Sequence, residues 1–170
     1  WFALVFLVLA AFDFAFGDAF PKGRVMFITN GIKFAGCALM FSLHTLTTEQ
    51  DSQLFFIFFA YTLVGIGAAA YSPAKYGIVT EMLKPEMLVK GNSWIEGLTV
   101  LSIIIGTVLG GVLIHPDVSP VLQSSPLVSS VAANRTEAAI LIIGLIYLAA
   151  AACNLLIPRT NIHYPKQKTN

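Results

Sequence analysis

Of the 170 residues, 56% are hydrophobic and 11% are charged, and the mean hydropathy is +0.78. A soluble domain carries about 25% charged residues, so a soluble globular fold is excluded. The formal net charge of +1 comes without a basic stripe, which excludes a nucleic-acid-binding surface.

Apolar runs recur along nearly the whole chain and predict an all-α membrane protein, a helical bundle of about five transmembrane helices. The spans fall near 1–17, 25–43, 54–82, 92–114 and 138–157, in a single bundle over 1–158 with a cytoplasmic linker or tail at 159–170. The first span begins at Trp1 inside an apolar run, with no initiator Met, basic n-region or small-residue cleavage site. It does not read as a signal peptide, and the chain reads as a piece of a longer protein. The second span carries Lys33 and Cys37, and Cys153 lies in the last. The cysteines stand at no metal-ligand spacing and read as small packing residues; no metal site or cofactor is expected.

The third span is too long for a straight crossing at about 1.5 Å per residue. "YGIVTEML" after Lys75 is still apolar, so a helix kinked at Pro73 is expected to run on to the turn-like "LKPEMLVKGN", with an interfacial loop around Lys75 as the alternative. In the fourth span Gly106 and Gly110 form GxxxG, a spacing that lets helix backbones pack closely. Lys and Arg set the orientation. Lys22 and Arg24 lie in the first loop, Lys84 and Lys90 in the third, and Arg159, Lys166 and Lys168 in the tail. "HTLTTEQDSQ" has none and 116–137 has only Arg135. The C-terminus and the first and third loops are therefore expected to be cytoplasmic.

Local patterns then point to a family. "GDAFPKGRV" resembles the motif between helices two and three of the major facilitator superfamily, here Asp18, Lys22, Gly23 and Arg24, with Phe14 where a Gly is usual. "YTLVGIGAAAYSP" resembles the superfamily's glycine-rich helix four, with Tyr61 where many proton-coupled members have Arg. "KGRVM", "NGIKFAG", "YTLVGIGAAAYSPAKYGIVTEML", "LVKGNSWIEG" and "GTVLGGVLI" together resemble one branch, the bacterial lysophospholipid transporters.

That resemblance implies helices two to six of such a carrier, with the first helix and the C-terminal half lying elsewhere. It implies movement of lysophospholipids such as lysophosphatidylethanolamine across the bacterial inner membrane to the cytoplasmic leaflet for reacylation. Coupling to an acyltransferase partner is part of the same implication, and a carrier of drugs or other small solutes is the alternative. Asp18, Lys22 and Arg24 would then act as a conformational latch, with charges that merely set topology as the plainer alternative.

Asp13, Lys33, Lys75 and Glu96 are ionisable residues placed well inside apolar spans. Each costs about 2.5–3.5 kcal/mol near the bilayer centre unless it has a partner, a wet cavity or a route to the interface. With a hairpin turning near Met87, Lys75 and Glu96 lie at depths differing by about 4–5 Å. A Lys ammonium suits a phosphate and a carboxylate suits an ammonium, so the two could complement a zwitterionic headgroup. Their alternative role is an internal ion pair that locks two helices. Tyr71 and Asn92 join them as candidate substrate contacts, and Pro73 would free backbone carbonyls beside the cavity. Lys33 is expected to be structural, snorkelling or pairing with an acid such as Asp13.

Other chemistries fail on spacing. "GIGAAA" satisfies a loose dinucleotide fingerprint without the strand and turn it needs. No GxxxxGK[ST] loop supports an ATP-driven pump. His44, His115 and His163 lie near helix ends or in the tail, without the Asp an acyltransferase histidine requires, so an enzyme is not expected.

Overall fold

The structure is a computed structural model and describes residues 21–46 and 50–158. Its elements are α1 (Lys22–Leu46), α2 (Gln50–Met82), a 3-10 turn (Pro85–Met87), α3 (Leu88–Ile114), two short helices α4 (Ser119–Gln123) and α5 (Pro126–Ser129), and α6 (Arg135–Asn154). No strand occurs among the described residues. The chain is an all-α, multi-pass membrane protein, and four described helices are long and apolar enough to cross a membrane. The expected span at 1–17, with Asp13, lies outside the described residues, as do Asp18 and the tail at 159–170.

Each long helix starts earlier than its apolar run. Lys22 and Arg24, expected in a loop, form the first turn of α1. The Pro21 carbonyl accepts from the backbone N–H of Arg24 at 2.9 Å and of Val25 at 3.2 Å, so the first turn closes although its side chains are charged. The loop expected at 83–92 is likewise shorter. Lys84 is extended, Pro85 opens the 3-10 turn, and α3 begins at Leu88, which puts Lys90 and Asn92 on the helix. Hydropathy marks where a helix enters hydrocarbon, whereas backbone hydrogen bonding continues through the polar interface.

At α6, Asn134 is the N-cap: its side chain accepts from the Glu137 backbone N–H at 2.9 Å, and Glu137 accepts in return from the Ala133 N–H at 2.7 Å. These bonds satisfy donors that a helix start leaves open.

α2 runs unbroken for 33 residues through Pro73. At about 1.5 Å per residue it is near 50 Å long, more than the ~30 Å of hydrocarbon, so its ends reach the interface. Pro73 has no N–H to give the Ala69 carbonyl, and one rung of the ladder is missing there.

The core lies where α1 packs against α2 and α6. Small residues make it: Ala60, Ala69, Ala74, Ala138 and Ala151 are buried, while Phe55, Phe58, Ile103, Val108 and Leu148 face outward. Without a hydrophobic drive between helices in lipid, close backbone approach and dispersion do the packing. Gly67 is one such approach. A Cβ built there would stand 2.7 Å from the Thr29 carbonyl oxygen and 2.8 Å from Lys33 Cγ. Gly36 is another, with Ala60 and Val64 of α2 against it.

α3 is different. It touches α2 and α6 sparingly and exposes most of its apolar length, with Trp94 at 65% exposure. Gly106 and Gly110, expected to pack a neighbouring helix, face open space among the described residues. The GxxxG spacing supplies a smooth surface, but no described helix lies on it.

Candidate functional site

α2 and α3 form an antiparallel hairpin, and their register brings polar residues together across it. Lys75 Nζ donates to Thr99 Oγ1 at 3.0 Å. Next along α2, and one turn nearer the start of α3, the Tyr76 hydroxyl donates to Glu96 Oε1. The midpoints of these pairs fall on Met87 and Glu86, at the turn expected near Met87. Thr99 is itself held, its hydroxyl donating back to the Ile95 carbonyl at 2.6 Å, a bond available to Thr in a helix.

Lys75 and Glu96 thus share one cluster without forming a direct ion pair. Tyr76 links them: its ring centroid lies 4.6 Å from Lys75 Nζ, within cation–π range, while its hydroxyl holds the carboxylate. Lys75 is half-buried and Glu96 exposed. An ammonium has three N–H donors, and Thr99 takes one. A carboxylate offers about four lone-pair sites, and Tyr76 takes one. Each charge is held by a neutral hydroxyl and keeps capacity for a charged ligand group.

Residue type alone gives no signal for Tyr76 or Thr99 in the sequence. The register carries one, since a hairpin turning at Glu86–Met87 sets Thr99 opposite Lys75 and Glu96 opposite Tyr76.

Tyr71 and Asn92 take no part in these contacts. Asn92 is exposed on α3. The Tyr71 ring lies under a different lysine, with Lys33 Nζ 4.3 Å from its centroid. Lys33 is 9% exposed, donates to Asn30 Oδ1 at 3.1 Å, and also lies 5.6 Å from the Tyr147 ring centroid of α6. Among the described residues no carboxylate reaches ion-pair distance of it. Two aromatic faces and one amide therefore hold this charge where α1, α2 and α6 meet, which is a structural setting. Neither Asn30 nor Tyr147 stands out in the sequence, because a cation held by rings needs no acidic partner to betray it.

Lys22 and Arg24 sit where α1 begins and α6 ends. Lys22 is 5% exposed, and its side chain lies over Gly77 of α2, where an added Cβ would come 3.1 Å from Lys22 Cε. Arg24 is exposed and lines a cavity of about 140 Å³ with Lys22, Gly23, Asn154 and Ile157. Asn154 ties α6 to α1 by donating from Nδ2 to the Met26 carbonyl at 3.1 Å. Lys22 is thus packed on α2, and Asn154 ties the end of α6 to the start of α1.

The whole chain, residues 1–170, matches the Major Facilitator Superfamily. It is 39% identical over 165 residues to the lysophospholipid transporter LplT of Serratia proteamaculans (strain 568), covering 96% of this chain and 34% of that protein. It is 38% identical over 159 residues to the proteins of that name from Yersinia pestis (strain Pestoides F) and Yersinia pseudotuberculosis serotype O:3 (strain YPIII), covering 93% of this chain and 32% of each. The chain therefore spans about a third of the length of these curated relatives. No solved structure matches it significantly. Membrane-length helices, small-residue packing between them and a match over every residue agree: the chain belongs to the Major Facilitator Superfamily.

Proposed function

We propose that this chain forms part of a secondary transporter that carries lysophospholipids, such as lysophosphatidylethanolamine, across the bacterial inner membrane to the cytoplasmic leaflet, where reacylation follows. The observation that carries the proposal is the cluster on α2 and α3. A cation at Lys75 and an anion at Glu96 stand side by side, each held by a neutral hydroxyl. A phosphate, carrying the opposite charge, binds the lysine more strongly than a neutral threonine hydroxyl does, and an ammonium does the same for the glutamate against the tyrosine hydroxyl. One headgroup bearing both charges would satisfy both residues. Relatives named for lysophospholipid transport support the lipid as substrate.

In this reading Lys75 takes the phosphate and Glu96 the amine, with Asn92 a further contact on the exposed face of α3. Tyr71 serves Lys33 instead. The rung missing at Pro73 loosens α2 one turn from the cluster. Asp18, Lys22 and Arg24 form the latch, whose charges are made and broken as the two halves of the carrier rock. The end bearing Lys22, Arg24, Lys84 and Lys90 faces the cytoplasm, and the C-terminal tail follows on that side. The protein acts as a carrier, and the chemistry of reacylation falls to an acyltransferase that consumes its cargo.

The test is uptake of labelled lysophosphatidylethanolamine by spheroplasts lacking their own carrier, with the natural full-length protein containing this chain. Uptake lost in Lys75→Ala at equal protein level is the expected result. Normal uptake by that variant removes Lys75 from the transport path, and no uptake by the unmutated protein overturns the lipid reading.

A further inference from the structure

Tyr76 stands out because it occupies one of the charged groups at the site. Its hydroxyl donates to Glu96 Oε1, while its ring lies against Lys75 Nζ at 4.6 Å. The lysine is served separately, by Thr99 at 3.0 Å. The two charges are therefore satisfied by two different hydroxyls, on opposite helices of the hairpin. Neither bond depends on the other for its donor or its acceptor.

We infer that Tyr76 is a specificity-determining residue: its phenol covers Glu96 in the empty site, and the cationic part of an incoming headgroup must displace it to bind. This rests on the lipid reading above and goes beyond it. A headgroup with phosphate and ammonium engages both halves, replacing Thr99 at Lys75 and Tyr76 at Glu96. A headgroup with a phosphate and no cation engages Lys75 alone and leaves the Tyr76–Glu96 bond in place. Tyr76 is then a threshold against ammonium-bearing headgroups only, and its strength sets the ratio in which the two classes bind. The ring acts separately. It lies against Lys75 whether or not the hydroxyl is present, so Tyr76→Phe keeps the cation–π contact and removes only the competitor for Glu96.

The experiment measures binding of lysophosphatidylethanolamine, which carries an ammonium, and lysophosphatidylglycerol, which does not. It uses the natural full-length protein in nanodiscs, unmutated and as the Tyr76→Phe and Glu96→Gln variants. Tyr76→Phe is expected to tighten lysophosphatidylethanolamine by about two- to tenfold, at or below the low end for a hydrogen bond to a charged group because Glu96 is exposed and water takes the phenol's place, and to leave lysophosphatidylglycerol unchanged. Glu96→Gln is expected to weaken the ethanolamine lipid and spare the glycerol lipid, which shows that the carboxylate is the group in question. A Tyr76→Phe protein that shifts both lipids equally, shifts neither, or weakens the ethanolamine lipid overturns the inference while leaving Lys75 as the phosphate site. Failure of the unmutated protein to bind either lipid overturns the lipid reading itself. The ratio of the two affinities is the deciding quantity, because a variant that merely disturbs packing lowers both.

Discussion

Gly67 offers the sharpest test of how the bundle is held together. A methyl group added there would stand 2.7 Å from the Thr29 carbonyl oxygen, where carbon and oxygen ordinarily approach to about 3.3 Å. The backbone oxygen cannot rotate away as Lys33 Cγ can, so α1 and α2 must separate by roughly 0.6 Å, given that closest approach. Overpacking of this kind costs about 1–3 kcal/mol, while alanine returns about 1 kcal/mol of helix propensity relative to glycine. Gly31→Ala supplies the control. It lies on the same helix pair's other partner, gains the same propensity, and meets nothing within 4 Å. The difference between the two variants is thus the overpacking alone.

Cys37 reports it, being 7% exposed in the core. In a Cys153→Ser background its labelling by a maleimide requires the bundle to open. Gly67→Ala is expected to label about five- to 150-fold faster than Gly31→Ala, the factor that corresponds to 1–3 kcal/mol. Equal labelling rates for the two variants would refute the close approach of α1 and α2 at this point.

Two further outcomes rest on single side chains. Asn30→Ala removes the acceptor that holds buried Lys33 and is expected to destabilise the bundle by about 1–3 kcal/mol, read from the same labelling of Cys37; Asn30→Asp, which keeps an acceptor oxygen, should restore most of it. Asn134→Ala removes the cap of α6 and is expected to cost about 0.5–2 kcal/mol, whereas Arg135→Ala, one residue on and exposed, should change stability by less than about 0.5 kcal/mol.

Much of this protein was legible without its structure. A chain with this hydropathy has no stable fold in water, and every backbone N–H in hydrocarbon needs an internal partner; the helices follow from those two facts. The depth match of Lys75 and Glu96 followed from helix rise alone, because a tight turn between antiparallel helices fixes which residues stand level. Lys33 inside an apolar helix was visible as a charge needing a partner.

Only the tertiary structure decided who the partners are. Lys33 is held by Asn30, Tyr71 and Tyr147 from three helices, and nothing in one-dimensional spacing says that α1, α2 and α6 meet there. Tyr71 and Lys75 lie one helical turn apart on α2 yet serve different clusters, Tyr71 meeting Lys33 of α1 and Lys75 meeting Thr99 of α3. The direct pairing open to Lys75 and Glu96 gives way to two separate bonds, Lys75 to Thr99 and Tyr76 to Glu96, because at this register a hydroxyl on the facing helix stands within reach of each charge. Gly106 and Gly110 show the converse. Their spacing permits a close helix contact, but permission comes from the sequence and the neighbour comes only from the packing of the whole.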